Sequence, residues 1–255
     1  MDSQLNRSAD GLMRGFDSRA AHARGAARHG VAWRGLAWLG TAGHQIGGPV
    51  WQALGPYETE RDQLMKHFSI TIDGTAPLIM HNSRLADKLD PITRQKAVVA
   101  AKRKKTDEDD LEISRLEWLG GLYWDDAIGP YLPGDNLFKA LVEAARKSKQ
   151  GKQVEQGVFV EDDVNPLAYK GPRVVDELWK DQNFVFRRTV KQQQSRITRT
   201  RPIFREWRTE ARGTFDPNVV NLSDIAGFAE IAGLYIGVGD WRPRYGRFSA
   251  AVKVV

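Results

Sequence analysis

Phe68, Ile70 and Ile72 alternate with Ser69, Thr71 and Asp73 before the chain turns at Gly74, and nothing earlier in the sequence carries such a period. Alternation of period two commits this stretch to a half-buried strand. A lone strand cannot satisfy its backbone or its apolar side, so the later residues must supply a sheet and a covering layer.

Residues 1–64 are of a different kind. Every basic residue there is an arginine, at positions 7, 14, 19, 24, 28, 34 and 61, and lysine begins only at Lys66. Glycine and alanine dominate, and stretches such as 20–30 show neither a helical nor a strand period. One reading is a weakly basic, disordered arm. Another is an upstream stretch translated from GC-rich DNA, with Met65 the natural start. A third is a short apolar docking helix through Trp33, Leu36, Trp38 and Leu39. The expected organisation is an Arg/Ala/Gly-rich N-terminal extension over 1–64 and a nucleic-acid-binding domain over 65–255.

Composition narrows the chemistry. Eight tryptophans and 41% apolar residues suffice for a real core. With no cysteine, disulfides, thiol catalysis and cysteine-bound zinc or iron–sulfur centres are excluded. No apolar run approaches the roughly 18 residues of a membrane span, and no signal-peptide core is present, so a cytoplasmic protein is expected. The net charge of +6 favours an anionic partner.

Beyond Gly74, Pro77–His81 can continue the first strand past a bend. A basic-ended helix is expected over Ile92–Lys105, and Thr106 with Asp109 reads as a capping box opening a helix through Leu119, stopped by Gly120-Gly121. Residues 131–136 read as a turn and N-cap before a helix with Leu137, Phe138, Leu141, Val142 and Ala145 on its apolar face. Strands are expected over Val154–Val160, Phe184–Lys191, Arg196–Phe204 and Trp207–Phe215, a helix over Leu222–Tyr235 and a closing strand over Phe248–Val255. This order fits an α+β fold: a βαββαβ ferredoxin-like (RRM-like) sheet with insertions, helices on one face and the other face left for a ligand.

Two segments carry the expected chemistry. In the glycine-rich loop, Gly237 and Gly239 let backbone approach a ligand closely, beside Trp241, Arg242, Arg244, Tyr245 and Arg247. A dinucleotide fingerprint fails, because Arg242 replaces the third glycine and the loop follows a helix. The plainer alternative is a tight helix-to-strand connection with solvated arginines. In the hairpin region, Arg187, Arg188, Lys191, Arg196, Arg199, Arg201, Arg205 and Arg208 interleave with Phe184, Phe186, Phe204 and Trp207. Cations that track a backbone plus rings that accept bases are the needs of single-strand binding. Here the alternative is a charged, aggregation-resistant edge.

Other candidates are thinner. Lys102–Lys105 and Asp107–Asp110 largely neutralise each other. His81 with Asp87 or Asp90 is the one candidate for general acid–base nuclease chemistry. Glu161-Asp162-Asp163 reads better as a solvated turn than as a divalent-ion site. No metal site and no cofactor are expected.

Three landmarks together resemble the RAMP superfamily of RNA-binding proteins in CRISPR effector complexes, and especially its crRNA-backbone subunits. They are the opening strand leading into residues 76–81, the segment Tyr131-Leu132-Pro133-Gly134-Asp135-Asn136-Leu137-Phe138-Lys139-Ala140-Leu141, and the glycine-rich loop ending in Tyr245-Gly246-Arg247-Phe248. The segment from Tyr131 to Leu141 resembles the family's I-P-G-S-S-hydrophobic-K-G entry to its first helix, with Asp135-Asn136 in place of two serines and Ala140 in place of glycine. Residues 65–255 are also similar to proteins encoded by actinobacteriophages. The resemblance implies a ferredoxin-like fold gripping RNA or a single strand, with homo-oligomers or filaments of repeated protomers. The expected function is therefore non-catalytic binding of RNA or single-stranded DNA by a phage or mobile-element protein. A structural or interaction protein is the alternative, and a metal-independent ribonuclease the third.

Overall fold

The computed structural model describes residues 64–192 and 195–255. In chain order the elements are β1 (Lys66–Gly74), β2 (Leu78–Ile79), a 3-10 turn (Ser83–Ala86), α1 (Pro91–Ala100), α2 (Asp107–Gly121), β3 (Trp124–Asp125), β4 (Gly129–Pro133), α3 (Gly134–Lys147), α4 (Gly151–Gly157), β5 (Val158–Val160) and β6 (Val164–Pro166). There follow α5 (Val175–Lys180), another 3-10 turn (Gln182–Phe184), β7 (Val185–Gln192), β8 (Ser195–Phe204), β9 (Arg208–Phe215), α6 (Leu222–Ile231), one turn of π-helix (Ala232–Ile236) and β10 (Phe248–Val254).

The architecture is α+β, with the strands in antiparallel sheets. The largest sheet has the order β10-β1-β9-β5. Its register puts Phe68 between Gly213 and Val254, Ile70 between Ala211 and Val252, and Ile72 between Thr209 and Ala250. Facing residues in an antiparallel pair point to the same side, so one face is apolar. It belongs to a core cluster that includes Leu137, Leu141 and Ala145 of α3 and Ile225, Phe228 and Ala229 of α6. The sheet β2-β8-β7 and the small sheet β3-β4-β6 flank it.

The opposite face of the main sheet carries Ser69, Thr71, Glu210, Arg212, Ser249 and Lys253, and it was expected to take the ligand. Its charge is mixed: Arg208 pairs with Asp73 at 3.3 Å and His67 with Glu161 at 3.9 Å. Phe159 is an exposed ring there. A polyanion finds no net cationic surface on it.

Local chemistry explains most boundaries. Asp90 caps α1 by accepting from the amides of Ile92 and Thr93, with Pro91 at the first helical position. The Thr106–Asp109 capping box forms in both directions, and four acids occupy the first turn of α2, at the positive end of its dipole. Both elements differ from expectation at their ends. α1 stops at Ala100, short of Lys105, because successive lysines repel one another in a helix. Lys102 instead bonds Asp109 at 2.5 Å. Gly120 and Gly121 do not stop α2 but lie in its last turn, where they leave room for Leu85 and Pro202.

Three other expectations are corrected. Leu78–Ile79 does not prolong β1 but crosses to β8. Residues 154–157 are helical rather than strand, with Val154 buried beneath polar neighbours. No side-chain cap opens α3, which follows directly from β4 after Pro133. The expected extension lies outside the described residues but for Leu64, as does the centre of the expected turn at 192–195.

The core assignment yields a stability prediction. Leu141→Ala should lower the unfolding free energy by about 2–5 kcal/mol, measured by denaturant titration. Phe159→Ala, on the open face, should change it by less than about 0.5 kcal/mol.

Candidate nucleic-acid interface

The loop after α6 is built from left-handed backbone. Gly237, Gly239 and Gly246 have φ of 75°, 80° and 70°. A β-carbon at Gly246 would collide with the Val238 carbonyl, and one at Gly239 with the Ile79 carbonyl. The glycines thus let the loop close on itself and on β2. They do not open a cradle. The amide of Gly237 donates to Ala232 O at 2.7 Å, that of Val238 to Gly246 O at 2.9 Å, that of Asp240 to Ile79 O at 2.8 Å and that of Gly246 to Pro77 O at 2.8 Å. The expected phosphate cradle of backbone amides is therefore replaced by a rigid frame, and the side chains are what the loop presents.

Trp241 is the exposed end of that frame. Its φ of 53° is unusual for a bulky residue and costs on the order of 1–3 kcal/mol. Its amide donates to Asp240 Oδ1 at 2.9 Å. Its ring meets Phe186 of β7 at 5.1 Å and Tyr245 at 6.3 Å, and Phe186 meets Tyr245 at 5.5 Å. Arg188 stands over the Trp241 ring and Arg244 over the Tyr245 ring, each 5.8 Å from the centroid. Arg242 reaches back to both oxygens of Glu143 on α3 at 3.3 and 3.4 Å. An open cleft of about 490 Å³ runs beside these groups, lined by Glu143, Tyr235, Asp240, Trp241 and Arg242 among others.

Beneath the platform lies a buried ionic cluster. Glu117 of α2 is 3% exposed and Arg201 of β8 is 7% exposed. One oxygen of Glu117, Oε1, takes Arg201 Nη1 at 2.8 Å, Arg199 Nη1 at 3.1 Å and Lys96 Nζ at 3.6 Å. Arg201 Nε turns the other way to Asp240 Oδ2 at 3.3 Å. Burial alone would raise the Glu117 pKa. The hydrogen bond from Arg201 and the charges of Lys96, Arg201 and Arg199 outweigh it and hold the carboxyl below its ordinary value. Burial also lowers Lys96 against the pull of Glu117, with Arg199 and Arg201 adding to the lowering.

The sequence-derived candidates separate accordingly. Strand register pairs Phe186 with Arg201 and Arg188 with Arg199, so these four share one hairpin face with the loop. Arg196 falls on the alternate face, opposite Lys191. Arg205 lines a different cleft with Lys170 and Asp181. Trp207 is 4% exposed and donates to Ala76 O at 2.9 Å, which makes it a core residue and no stacking surface. Arg201 is spent on two carboxylates, so it positions the loop and does not face a ligand. Arg247 is exposed, and its carbonyl accepts from Thr75 and Ala76. Gly237, Gly239, Arg242, Arg244 and Tyr245 stand in the loop as described.

The expected pairing of His81 with Asp87 or Asp90 is not formed. Asp90 is engaged with Arg84 and the α1 cap, and Asp87 accepts from Leu89. His81 instead opens onto a cleft with Lys96, Glu117, Arg199 and Arg201. Glu117 was missed from sequence. The signal was there: an acid between Leu116 and Trp118 on a helix that must bury that side. Among the described residues no group of three or more His, Asp or Glu side chains is arranged to hold a metal, and no helix is long and apolar enough to cross a membrane.

Protonation of Glu117 tests this geometry. Its depressed pKa stabilises the fold above the unfolded glutamate value of about 4.3, and that contribution is lost as pH falls through the lower folded value. Glu117→Gln should cost about 3–5 kcal/mol at neutral pH by leaving Arg201 uncompensated. Its unfolding free energy should also change less than that of the wild type on acidification below about pH 4.3.

No family model matches the chain, and no curated protein matches it. Among solved structures, it is similar to a chain in the cryo-EM structure of a Type III-B Cmr-beta complex bound to cognate target RNA, with a TM-score of 0.43 and 12% identity. The match covers 80% of this chain and 65% of that one, so this chain spans less than two thirds of its neighbour's length.

Proposed function

We propose that this chain is a RAMP-like protein that binds RNA or single-stranded DNA without catalysis of its own, in keeping with the phage or mobile-element origin that the sequence resemblance implies. The strand order β10-β1-β9-β5, with α3 and α6 contributing to the core on one side, supports reading the main sheet as a ferredoxin-like βαββαβ core with insertions. The domain of interest is then 65–255.

One observation carries the functional reading: the Phe186–Trp241–Tyr245 platform with Arg188 and Arg244 over its rings. Unstacked bases gain about 1–3 kcal/mol each on such rings, and the same arginines neutralise phosphates. Duplex DNA hides its ring faces, so the platform favours single strands. Exposed Arg242, Arg244 and Arg247 extend the cationic surface along the loop. Several protomers lining one strand belong to the same reading.

The test is a fluorescence-anisotropy titration with labelled single strands at several salt concentrations. The apparent dissociation constant should rise steeply with salt, as counterion release demands. Trp241→Ala with Tyr245→Ala should weaken binding by at least about tenfold, and Arg242, Arg244 and Arg247 changed together to Ala should flatten the salt slope. Salt-independent binding, or binding unchanged in both variants, would sink the reading and favour a protein-interaction role.

A further inference from the structure

We infer that the cleft between the Ser83–Ala86 turn, α1 and β8 is a binding site for a dianionic phosphate group. The cleft holds about 230 Å³ and is lined by His81, Asn82, Lys96, Glu117, Arg199 and Arg201 among others. That volume accommodates a phosphate and its first waters more readily than a whole nucleotide.

The charge of the lining points to the ligand. Lys96, Arg199 and Arg201 place three cationic nitrogens within 3.6 Å of a single carboxylate oxygen. Glu117 offsets one of the three, leaving an excess of two positive charges along the lining. Counting Asp240, which meets Arg201 from the loop side, still leaves an excess of one. Arg188 stands directly across the strands from Arg199, and like charges facing one another in a sheet are destabilising. An anion placed between Lys96 and Arg199 relieves this repulsion, and guanidinium and ammonium donors are the groups that bind phosphate oxygens. Glu117 already accepts from all three cations, so it keeps their heads aimed at one point.

His81 reports on occupancy. It is exposed at the mouth of the cleft. Partial desolvation and the Arg201 guanidinium lower its pKa, with Arg199 adding to the lowering and Asp240 and Glu117 opposing it. Lys96 also lines the cleft. A bound dianion adds an opposing charge and raises the histidine pKa, so phosphate binding takes up protons and strengthens as pH falls through the histidine range.

The phosphate can come from the end of a bound strand, which rests on the proposed function, or from a free phosphate compound, which does not. Two measurements on the full chain separate these sources. First, the His81 ring is titrated by NMR with and without inorganic phosphate; the midpoint should rise by about one unit. Then strands carrying a 5′- or a 3′-terminal phosphate are compared with the hydroxyl-ended strand; one phosphorylated form should bind about tenfold tighter, by analogy with a charge-assisted contact. Lys96→Gln, on the half-buried face of α1, should abolish both effects without disturbing the Glu117–Arg201 pair.

A shifted His81 midpoint with no preference among strand ends assigns the cleft to a free phosphate compound and upholds the site. No shift with phosphate, or effects that persist in Lys96→Gln, overturn it. The Trp241→Ala and Tyr245→Ala double variant should keep the His81 response, so loss of strand binding alone marks failure of the functional reading and not of this one.

Discussion

Arg201 holds the two halves of the candidate site together. Its guanidinium reaches Glu117 on α2 with one nitrogen and Asp240 in the glycine-rich loop with another. A lysine cannot do this, because two carboxylates on different elements need the fixed fork of a guanidinium. Burial makes the arrangement exacting. Each charge has lost water, so each must keep its partner, and displacement of any one leaves another stranded at a cost of several kcal/mol. The loop is thus placed by a buried ion chain as well as by its own hydrogen bonds.

The loop shows how a strained residue is kept. The left-handed glycines bring backbone against backbone, and their amides are consumed in doing so. Trp241 inherits a conformation that its side chain disfavours, and ring contacts from Phe186 and Tyr245 offset part of that strain. Flat, half-exposed rings held by a rigid frame lose little entropy when a base stacks on them. A flexible loop of the same composition would have to be ordered first, at a cost to affinity.

Legibility in sequence followed the strength of local signals. β1, the capping box at Thr106 and the apolar face of α3 were readable, because alternation, capping chemistry and helical period act within a few residues. β8 was readable as a strand with Arg199 and Arg201 on one side. What sequence did not reveal is where those side chains go. Glu117 lies 84 residues from Arg201 in the chain, and no local pattern announces that they meet. The same limit misplaced Trp207, whose aromatic character suits a stacking surface as well as a core; only the carbonyl of Ala76 decides between them. The glycines were rightly read as permitting close approach, but the approaching group is the protein's own backbone.

Charge, finally, decides which surface of this molecule can meet a polyanion. The open face of the main sheet has the area but not the sign, because Asp73, Glu161 and Glu210 stand among its basic residues. On the β7–β8 hairpin the balance differs. Arg188 and Arg199 face each other across the strands, and the acids nearby, Glu117 and Asp240, are already engaged by Arg201. Satisfying those acids from beneath leaves the cations above them with charge to spare. An anion drawn to this face meets rings on the loop side and cations on the α1 side, with Arg201 between the two. A strand that stacks on Trp241 and Tyr245 therefore has its phosphates directed along the hairpin and away from the open sheet. The buried pair is what gives the surface its sign: without Glu117 the arginines would repel each other apart, and without Arg201 the acids would cancel them.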